Sequence, residues 1–394
     1  MKITYNSPNR SHHYPYAASM RRAGCLHAFV SGYSRFGRDP LPEELAPVLR
    51  RVDALQTLYV LSLRYRLPRP FCERLAWLSK CRIDAASYPA ARDSDLFLFY
   101  SGAGLRTMRR LKKNARATLS VVEAVNTHAR FQEQVLGEEH QHLGLDFHGF
   151  PDYERARRCQ EYEEADAIVC PSRAVKRSFV AEGIPAENIW VVPYGFPIPV
   201  APEKPPTVPS SKGGFTVLYV GSLSVRKGIR YLIEAFKKLQ HPGKRLVLVG
   251  PSSAPSGIGD LSLGKEIECT GVLKGEALAA RYREADVFVQ PSLEEGLSLV
   301  LGEALAQGLP IVATRESGVE ELFDDGVCGY HVQARSASAL AGQLQNLADD
   351  AGLRVALGQQ ARQQAGLLGG WEQSGENLVG ALGDILAAKG EKSH

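Results

Sequence analysis

Residues 285–314 have the sequence ADVFVQPSLEEGLSLVLGEALAQGLPIVAT. The short apolar run at 285–289 is typical of a buried strand in a parallel sheet, and a second such run follows at 311–314. Between them, apolar residues recur at the spacing of a helix that faces a core, over 297–307. Gly308 and Pro310 prevent the helix from continuing. This strand–helix–strand pattern is the repeating unit of an α/β fold.

Two carboxylates lie at defined places in this unit. Glu295 is in the turn after the first strand, and Glu303 is inside the helix. In an open parallel sheet, ligands bind beyond the carboxyl ends of the strands. Gly296 lets a ligand approach the backbone, and the free N–H groups of a helix start can bind an oxyanion or a sugar oxygen. The alternative is that both glutamates are ordinary solvated or first-turn charges.

A second strand–turn–helix lies upstream, with the sequence FTVLYVGSLSVRKGIR at residues 215–230. Together the two stretches resemble the carboxy-terminal half of family 4 glycosyltransferases, which have the GT-B fold. The matching elements are E-x7-E, Glu295 to Glu303, and G-x-L-x-x-x-K-G, which consists of Gly221, Leu223, Lys227 and Gly228. The resemblance covers residues 160–335 well and the first 130 residues poorly. It implies an α/β protein in which two Rossmann-like doubly wound domains face a central cleft.

The length of 394 residues suits two domains. We expect an acceptor-side domain at 1–196, a proline-rich linker at 197–214 and a nucleotide-sugar-binding domain at 215–370. The resemblance implies that a last helix, 371–394, crosses back to the first domain, with Trp371 as a packing anchor.

Composition points to a cytoplasmic protein. The chain has no apolar run of the ~18 residues that span a bilayer, and its first residues lack the apolar core of a signal peptide. Seven scattered cysteines without a C-x-x-C motif suggest reduced thiols. Peripheral association with the inner face of the membrane is the alternative location.

Positive charge is concentrated in the first half. Residues 1–200 carry 28 Lys and Arg against 21 Asp and Glu, whereas residues 201–394 carry 19 against 22. A helix near residue 105 is rich in basic residues and could lie on an anionic membrane, or it could be an ordinary solvated face. Its basic residues are Arg106, Arg109, Arg110, Lys112, Lys113 and Arg116. We expect no nucleic-acid partner.

The first domain also offers candidate residues. The turn after the first strand lacks G-x-G-x-x-G, which argues against a dinucleotide dehydrogenase. It offers His12 and His13, which could touch donor phosphate or acceptor or could only cap the next helix. Related enzymes carry a histidine near the transferred sugar, after a strand. His128 is the best match by order along the chain, and Asn126 is the alternative.

Donor binding requires positive charge near the diphosphate. Lys227 beside the helix start at Gly228 could supply it, and each charge-assisted bond is worth about 1.5–3 kcal/mol. Ser222 stands after Gly221 where an arginine is frequent in the family, so Arg226 could compensate. No D-x-D motif is placed as a metal site, and we expect neither a metal nor a cofactor besides a UDP- or GDP-linked donor.

The resemblance assigns the other roles. Glu303 would bind the donor ribose, and Glu295 would hold hydroxyls of the transferred sugar. The helix start beside Gly296 offers the backbone N–H groups of Leu297, Ser298 and Leu299. These groups would meet the phosphate or the sugar. Val272 stands where the base usually packs.

These assignments predict a retaining, metal-independent hexosyltransferase. It would move a sugar from a nucleoside-diphosphate sugar to a hydroxyl of a glycan or lipid-linked glycan. A cell-surface polysaccharide or lipopolysaccharide is the expected acceptor, and a small molecule is the alternative. Two rival classes remain: another GT-B enzyme, such as a nucleotide-sugar epimerase, and a catalytically idle module that binds nucleotide sugars.

Overall fold

A computed structural model describes residues 1–33, 42–113, 118–198, 213–252, 257–259 and 263–390. Two parallel sheets with flanking helices organise these residues, one in each half of the chain. We call the parts built on them the first and the second domain. None of the helices within the described ranges is long and apolar enough to cross a membrane.

The first domain contains seven parallel strands in the order β3-β2-β1-β4-β5-β6-β7. The strands are β1 Ile3–Ser7, β2 Leu26–Ser31, β3 Leu49–Arg51, β4 Leu96–Tyr100, β5 Leu119–Glu123, β6 Ala167–Cys170 and β7 Ile189–Val191. The helices are α1 His13–Arg22, α2 Ala54–Arg64, α3 Arg69–Ala91, α4 Leu105–Leu111, α5 Ala129–His142, α6 Asp152–Glu164 and α7 Arg173–Ala181. Helices cover both faces of the sheet, so the residues of β4 from Leu96 to Phe99 are fully buried.

The second domain contains six parallel strands in the order β10-β9-β8-β11-β12-β13. The strands are β8 Phe215–Val220, β9 Lys244–Val249, β10 Ile267–Gly271, β11 Val287–Gln290, β12 Ile311–Thr314 and β13 Gly329–Val332. The helices are α8 Ile229–Lys238, α9 Glu276–Glu284, α10 Leu299–Ala306, α11 Ala337–Asp349, α12 Ala351–Leu368 and α13 Gly370–Gly390. The predicted doubly wound α/β architecture is confirmed in both halves.

The direction of strand order reverses once in each sheet. In the first sheet the reversal lies between β1 and β4, and in the second it lies between β8 and β11. The loops that leave the carboxyl ends of these strands diverge there and leave a crevice, which is where open α/β sheets bind ligands. The two crevices face each other and form the cleft of the molecule.

The last helix returns to the first domain. α13 packs on α1, where the hydroxyls of Tyr16 and Ser374 lie 3.1 Å apart. Ser374 also donates a hydrogen bond of 2.6 Å to the carbonyl of Pro193. Trp371 meets the edge of Tyr16 with ring centroids 6.2 Å apart. The predicted crossing is therefore present, and Trp371 packs at it.

Several local expectations need correction or lie beyond the description. The first domain also contains the short edge strand β3, which the sequence analysis did not identify. Residues 199–212 of the predicted linker, and Arg116 of the basic helix, lie outside the described residues. The exact domain boundaries stay a prediction.

The basic helix α4 uses much of its charge within the protein. Arg109 donates to Glu164 at 3.0 Å, and Lys112 donates to the backbone carbonyl of the same residue. The guanidinium of Arg110 lies 3.6 Å from the centre of the Tyr88 ring. These contacts favour the alternative of an ordinary docked helix over a free membrane-binding face.

Candidate active site

The cleft encloses a cavity of about 200 Å³ that both domains line. The first domain contributes residues at or soon after the carboxyl ends of β1, β4, β5 and β7: Asn9, Ser11, His12, His13, Tyr100, Val125, Asn126 and Tyr194. The loop after β11 supplies Glu295, Gly296, Leu297 and, at the start of α10, Leu299. The cavity therefore lies at the point where the two strand-order reversals meet.

Two cations and two carboxylates alternate on the second-domain side. Lys227 pairs with Glu295, and Arg226 Nη2 lies 3.3 Å from Glu295 Oε2. Arg226 Nε donates to Glu294 Oε2 at 2.6 Å. Two basic and two acidic side chains therefore face one another here, and they include the candidates Arg226, Lys227 and Glu295.

Burial changes the pKa of the lysine in this group. Loss of solvent and the nearby Arg226 guanidinium lower the pKa of Lys227 to about 7, while the Glu294 carboxylate acts in the opposite direction. Lys227 therefore titrates close to neutral pH, in contrast to an exposed lysine. An anion placed beside it would favour its charged form.

Glu294 was not identified from the sequence, yet it joins the two domains. It is almost fully buried, and each carboxylate oxygen accepts two hydrogen bonds. Oε1 accepts from the backbone and side chain of Thr127, at 3.1 and 2.7 Å. Oε2 accepts from Gln132 at 3.0 Å in addition to Arg226. Because its acceptor capacity is used by the protein, Glu294 positions the cleft walls instead of binding a substrate.

Arg226 also reaches the opposite wall of the cleft. Its Nη2 donates to Asn126 Oδ1 at 3.0 Å. Asn126, the alternative to His128, therefore faces the cavity in contact with a cation of the second domain. Ser222 has only a neutral contact, with its hydroxyl 3.4 Å from that of Ser224.

His128 does not line this cavity, and its role beside the sugar stays a prediction. It is the N-cap of α5, where Nδ1 accepts from the Arg130 amide at 3.3 Å. Its ring packs between Tyr162 and Phe179, with centroids 5.0 and 5.2 Å away. Burial and Arg130 lower the pKa of His128 to about 4, so it is neutral at physiological pH. The capping bond and the aromatic pocket give this histidine a structural role at the start of α5.

His12 and His13 meet a buried carboxylate that the sequence did not indicate as a site residue. Glu123, at the end of β5, lies 2.9 Å from His12 Nε2 and 3.0 Å from His13 Nδ1. The Tyr5 hydroxyl donates to it at 2.7 Å. Burial would raise the pKa of Glu123, but the two imidazoles outweigh it and hold that pKa well below its usual range.

The same cluster has the spacing of a metal site. The ligand atoms of His12, His13 and Glu123 lie within 4.8 Å of one another, and no other described group of three such side chains comes as close. They are already joined by hydrogen bonds, and burial together with His13 lowers the pKa of His12 to about 4. The atoms of the three side chains that face one another are therefore already paired. Independence from metal stays a prediction.

Three buried polar atoms on the cavity wall have no hydrogen-bond partner among the described residues. They are Asn9 Oδ1, His13 Nε2 and the Tyr194 hydroxyl. A buried polar atom left unpaired costs about 1–3 kcal/mol, so the cavity suits a ligand that supplies hydroxyl groups. Asn9 and Tyr194 are residues that the sequence analysis did not select as candidates.

Three other predicted donor residues lie in the second domain and do not line this cavity. Glu303 Oε2 accepts from the Tyr282 hydroxyl at 3.0 Å, and burial raises the pKa of Glu303. Val272 follows β10 and is 57% exposed, so its side chain is available for packing. Gly221 has φ 153°, and a Cβ there would come within 2.5 Å of the Tyr219 hydroxyl.

The start of α10 differs from its prediction. The helix begins at Leu299 instead of Leu297, because the amide of Ser298 donates to the carbonyl of Ser317 at 3.0 Å. This bond removes Ser298 from the expected set of free backbone donors. Its side chain makes no capping bond either. A Cβ on Gly296 would collide with the carbonyl oxygen of Val125, so only glycine fits between the two domains.

Two doubly wound domains that face a cleft define the GT-B class of folds, and solved structures agree. Sucrose-phosphate synthase from Thermosynechococcus elongatus matches 98% of this chain and 100% of its own, with a TM-score of 0.70 and 20% identity. HepE from Anabaena, solved with UDP and glucose, matches 98% and 100% with a TM-score of 0.64 and 17% identity.

Within that class, residues 201–364 match the model of the family described as glycosyl transferases group 1. This match makes the second half of the chain similar to the group 1 glycosyl transferases. The chain is similar to the Arabidopsis thaliana sulfoquinovosyl transferase, with 29% identity over 52% of this chain and 42% of that protein. It is also similar to the lipopolysaccharide 1,2-N-acetylglucosaminetransferase of Salmonella typhimurium, with 31% identity over 44% and 50%.

A longer alignment relates the chain to the amylovoran biosynthesis glycosyltransferase AmsK of Erwinia amylovora. It has 28% identity over 67% of this chain and 63% of that protein. The chain thus spans about half the length of the first curated relatives it matches.

Proposed function

We propose that this protein is a retaining glycosyltransferase that moves a sugar from a nucleoside-diphosphate sugar to an acceptor hydroxyl. The observation that carries the proposal is the pairing of Lys227 and Arg226 with Glu295 at the wall of one cavity. The opposite wall offers unpaired polar atoms, such as His13 Nε2. The reaction requires cations for a diphosphate, a carboxylate for the sugar hydroxyls and open acceptors for a second sugar.

Donor binding would exchange the partners of Lys227. In the structure its ammonium neutralises Glu295. A diphosphate carries more negative charge than one carboxylate, so Lys227 would turn to it and free Glu295 to accept hydrogen bonds from the transferred sugar. The same lysine would then stabilise the charge that grows on the leaving diphosphate as the glycosidic bond breaks. Arg226 would stay anchored by the buried Glu294 and hold the second positive charge in place.

The remaining donor contacts follow from the positions of three residues. Glu303 would bind the ribose hydroxyls, because its carboxylate keeps acceptor capacity beside the Tyr282 hydroxyl. Val272, exposed at the margin of the crevice, would pack on the base of a UDP- or GDP-linked donor. We name no protein nucleophile. Retention of configuration is proposed from the E-x7-E element, Glu295 to Glu303, and metal independence from the two cations.

The acceptor would lie on the first-domain side. Asn9, His13 and Tyr194 supply atoms that hydrogen bond well with hydroxyl groups. We propose a glycan or lipid-linked glycan of a cell-surface polysaccharide or lipopolysaccharide, because relatives include enzymes named for lipopolysaccharide and amylovoran synthesis. All seven cysteines are unpaired, which suits a reducing compartment. We therefore propose that the protein is cytoplasmic and contacts the inner face of the membrane peripherally.

A thermal-shift panel of UDP-, GDP-, ADP- and TDP-sugars, with and without EDTA, tests donor binding. A ligand at about 100 times its dissociation constant adds about 2.7 kcal/mol to stability. We expect one nucleotide to stabilise the protein equally in both conditions. Lys227→Gln should abolish that shift. Lys238→Gln, on the exposed end of α8, is the matched control and should retain it.

Turnover then separates transfer from its rivals. Release of the nucleotide that depends on a glycan acceptor supports transfer. Conversion of the donor sugar without an acceptor would point to an epimerase. If no nucleotide shifts the unfolding temperature, the proposal fails in favour of a module that does not bind these donors.

A further inference from the structure

An exposed apolar segment connects α2 to α3. Residues 63–71, LRYRLPRPF, are all exposed. Four large apolar side chains lie in it, at 43–71% exposure: Leu63, Tyr65, Leu67 and Phe71. Leu58 and Val60 of α2 add two more exposed apolar side chains. We call residues 58–71 the hairpin tip. Single exposed apolar residues are ordinary, but a continuous group of this kind marks an interaction surface.

The hairpin tip is also strongly basic. Residues 50–82 carry eight Lys and Arg against two Asp and Glu. Within 63–71 there are three arginines and no acidic residue. Arg69 pairs with Glu73 at 2.6 Å, whereas Arg64 and Arg66 have no ion-pair partner among the described residues. Their guanidinium groups are therefore available to an anionic partner. In α4, by contrast, Arg109 is already paired with Glu164.

The apolar surface continues inward from the tip. A cavity of about 540 Å³ opens between the hairpin and α5, and Leu63 and Leu67 form part of its wall. Tyr59, Leu136 and Phe147 line it further in. The tip is therefore not an isolated patch but the rim of a depression whose wall combines these apolar side chains with charged ones.

We propose that the hairpin tip docks on an anionic lipid bilayer. Leu63, Tyr65, Leu67 and Phe71 would enter the boundary between headgroups and acyl chains, and Arg64 and Arg66 would contact lipid phosphates. A second copy of this chain is a poorer occupant. In a symmetric dimer the same arginines would face each other with no acidic residue of the tip to neutralise them. The inference extends the proposed function, because it names the surface that would hold the cleft beside a lipid-linked acceptor.

Vesicle flotation without nucleotide tests the proposal. The probes are vesicles of phosphatidylcholine alone and vesicles that also contain phosphatidylglycerol. We expect the full chain to float only with the anionic vesicles, and less so at high salt. Arg64→Gln with Arg66→Gln should weaken partition about 30-fold, since two basic charges leave the surface. Leu63→Ser with Tyr65→Ser should also weaken it.

Each pair of changes has a matched control elsewhere on the chain. Arg106→Gln with Lys113→Gln removes two exposed basic charges of the α4 region. Leu367→Ser removes an apolar side chain that is 80% exposed on α12. Both control variants should float like the unchanged protein. Equal loss in the α4 variant, or unchanged flotation of the Arg64/Arg66 variant, would overturn the assignment to the hairpin tip.

Two further outcomes complete the test. Flotation with neither vesicle would overturn the proposal. So would a dimer in sedimentation velocity that the Leu63/Tyr65 variant dissociates, because the tip would then be an interface between copies. The thermal shift with nucleotide sugars is measured on the same variants. If the unchanged protein binds neither vesicle but responds to a nucleotide sugar, only this inference is contradicted. If it binds anionic vesicles but responds to no nucleotide sugar, only the proposed transfer is contradicted.

Discussion

Glu303 combines partial burial with a single protein partner, the Tyr282 hydroxyl. If its carboxylate binds the donor ribose, Glu303→Ala should weaken donor binding by about 1.5–3 kcal/mol, or roughly 10- to 150-fold. Isothermal titration with the nucleotide sugar measures this change. Tyr282→Phe is the comparison, because it keeps the carboxylate and removes only the internal hydrogen bond. Donor affinity that is the same with and without Glu303 would rule out its proposed role.

Lys227 should couple donor binding to pH. Its pKa of about 7 in the free protein would rise when a diphosphate lies beside it. Below pH 7 the lysine is already charged, so binding requires no proton. Above pH 7 binding takes up about one proton, and affinity should fall by up to about tenfold per pH unit. Titration calorimetry in two buffers of different ionisation enthalpy counts that proton.

Lys227→Arg provides the control for this pH effect. Arginine stays charged throughout the range, so the variant should bind donor without proton uptake near pH 8. If the unchanged protein takes up no proton at pH 8, Lys227 is not the group that meets the diphosphate.

The sequence analysis identified the candidate residues that belong to short local motifs. Glu295 and Glu303 are eight positions apart in one loop and helix, and Lys227 follows a glycine turn. The sequence analysis did not identify Glu294 and Glu123, because their partners are distant in sequence. Glu294 binds Thr127 across 167 positions, and Glu123 meets His12 across 111. The capping bond and the aromatic pocket of His128 were not predicted for a related reason, since both depend on the folded first domain.

At the level of elements, the second domain was predictable from its repeated apolar runs. The strands β8, β9, β11 and β12 are largely buried, which gives a strong signal, whereas the edge strand β10 has no buried residue. The start of α10 shifted by two residues because a bond from Ser298 to Ser317 replaces the first helical turn. The edge strand β3 was missed, since its sequence Leu49–Arg51 carries two exposed arginines and only one apolar residue.

The contact between α13 and α1 offers a test with two glycines of one helix. Gly375 is buried against α1, and a Cβ there would collide with the Ser19 side chain. Gly380 is exposed, and its Cβ would meet nothing within 4 Å. Gly375→Ala should therefore lower the free energy of unfolding by about 1–3 kcal/mol.

Gly380→Ala should instead raise the free energy of unfolding by about 0.5–1 kcal/mol, because alanine is the better helix former. Denaturant unfolding of both variants gives the comparison. Equal changes in the two variants would mean that α13 does not depend on close contact with α1.

On the scale of the whole molecule, Gly296 sets how closely the domains approach. Its backbone lies against Val125, and its carbonyl accepts from Ser172 at 2.6 Å. Gly296→Ala should hold the domains apart while leaving each one folded. A displacement of about 1 Å at a reacting centre lowers turnover about 100-fold, so transfer should fall by that order.

Small-angle scattering would detect the wider cleft of the Gly296 variant as a larger radius of gyration. Gly342→Ala is the control, because its Cβ on α11 would meet nothing within 4 Å. A variant at 296 with unchanged scattering and full turnover would show that the cleft closes without this contact.

The buried Glu294 has a consequence for how often the molecule opens. The amide of Thr127 in the first domain donates to this carboxylate of the second domain. Whenever the domains separate, that amide meets water and can exchange its proton for deuterium. Its exchange rate therefore counts opening events one amide at a time. A ligand that holds both walls together would slow it, and a ligand that seats on only one wall would not.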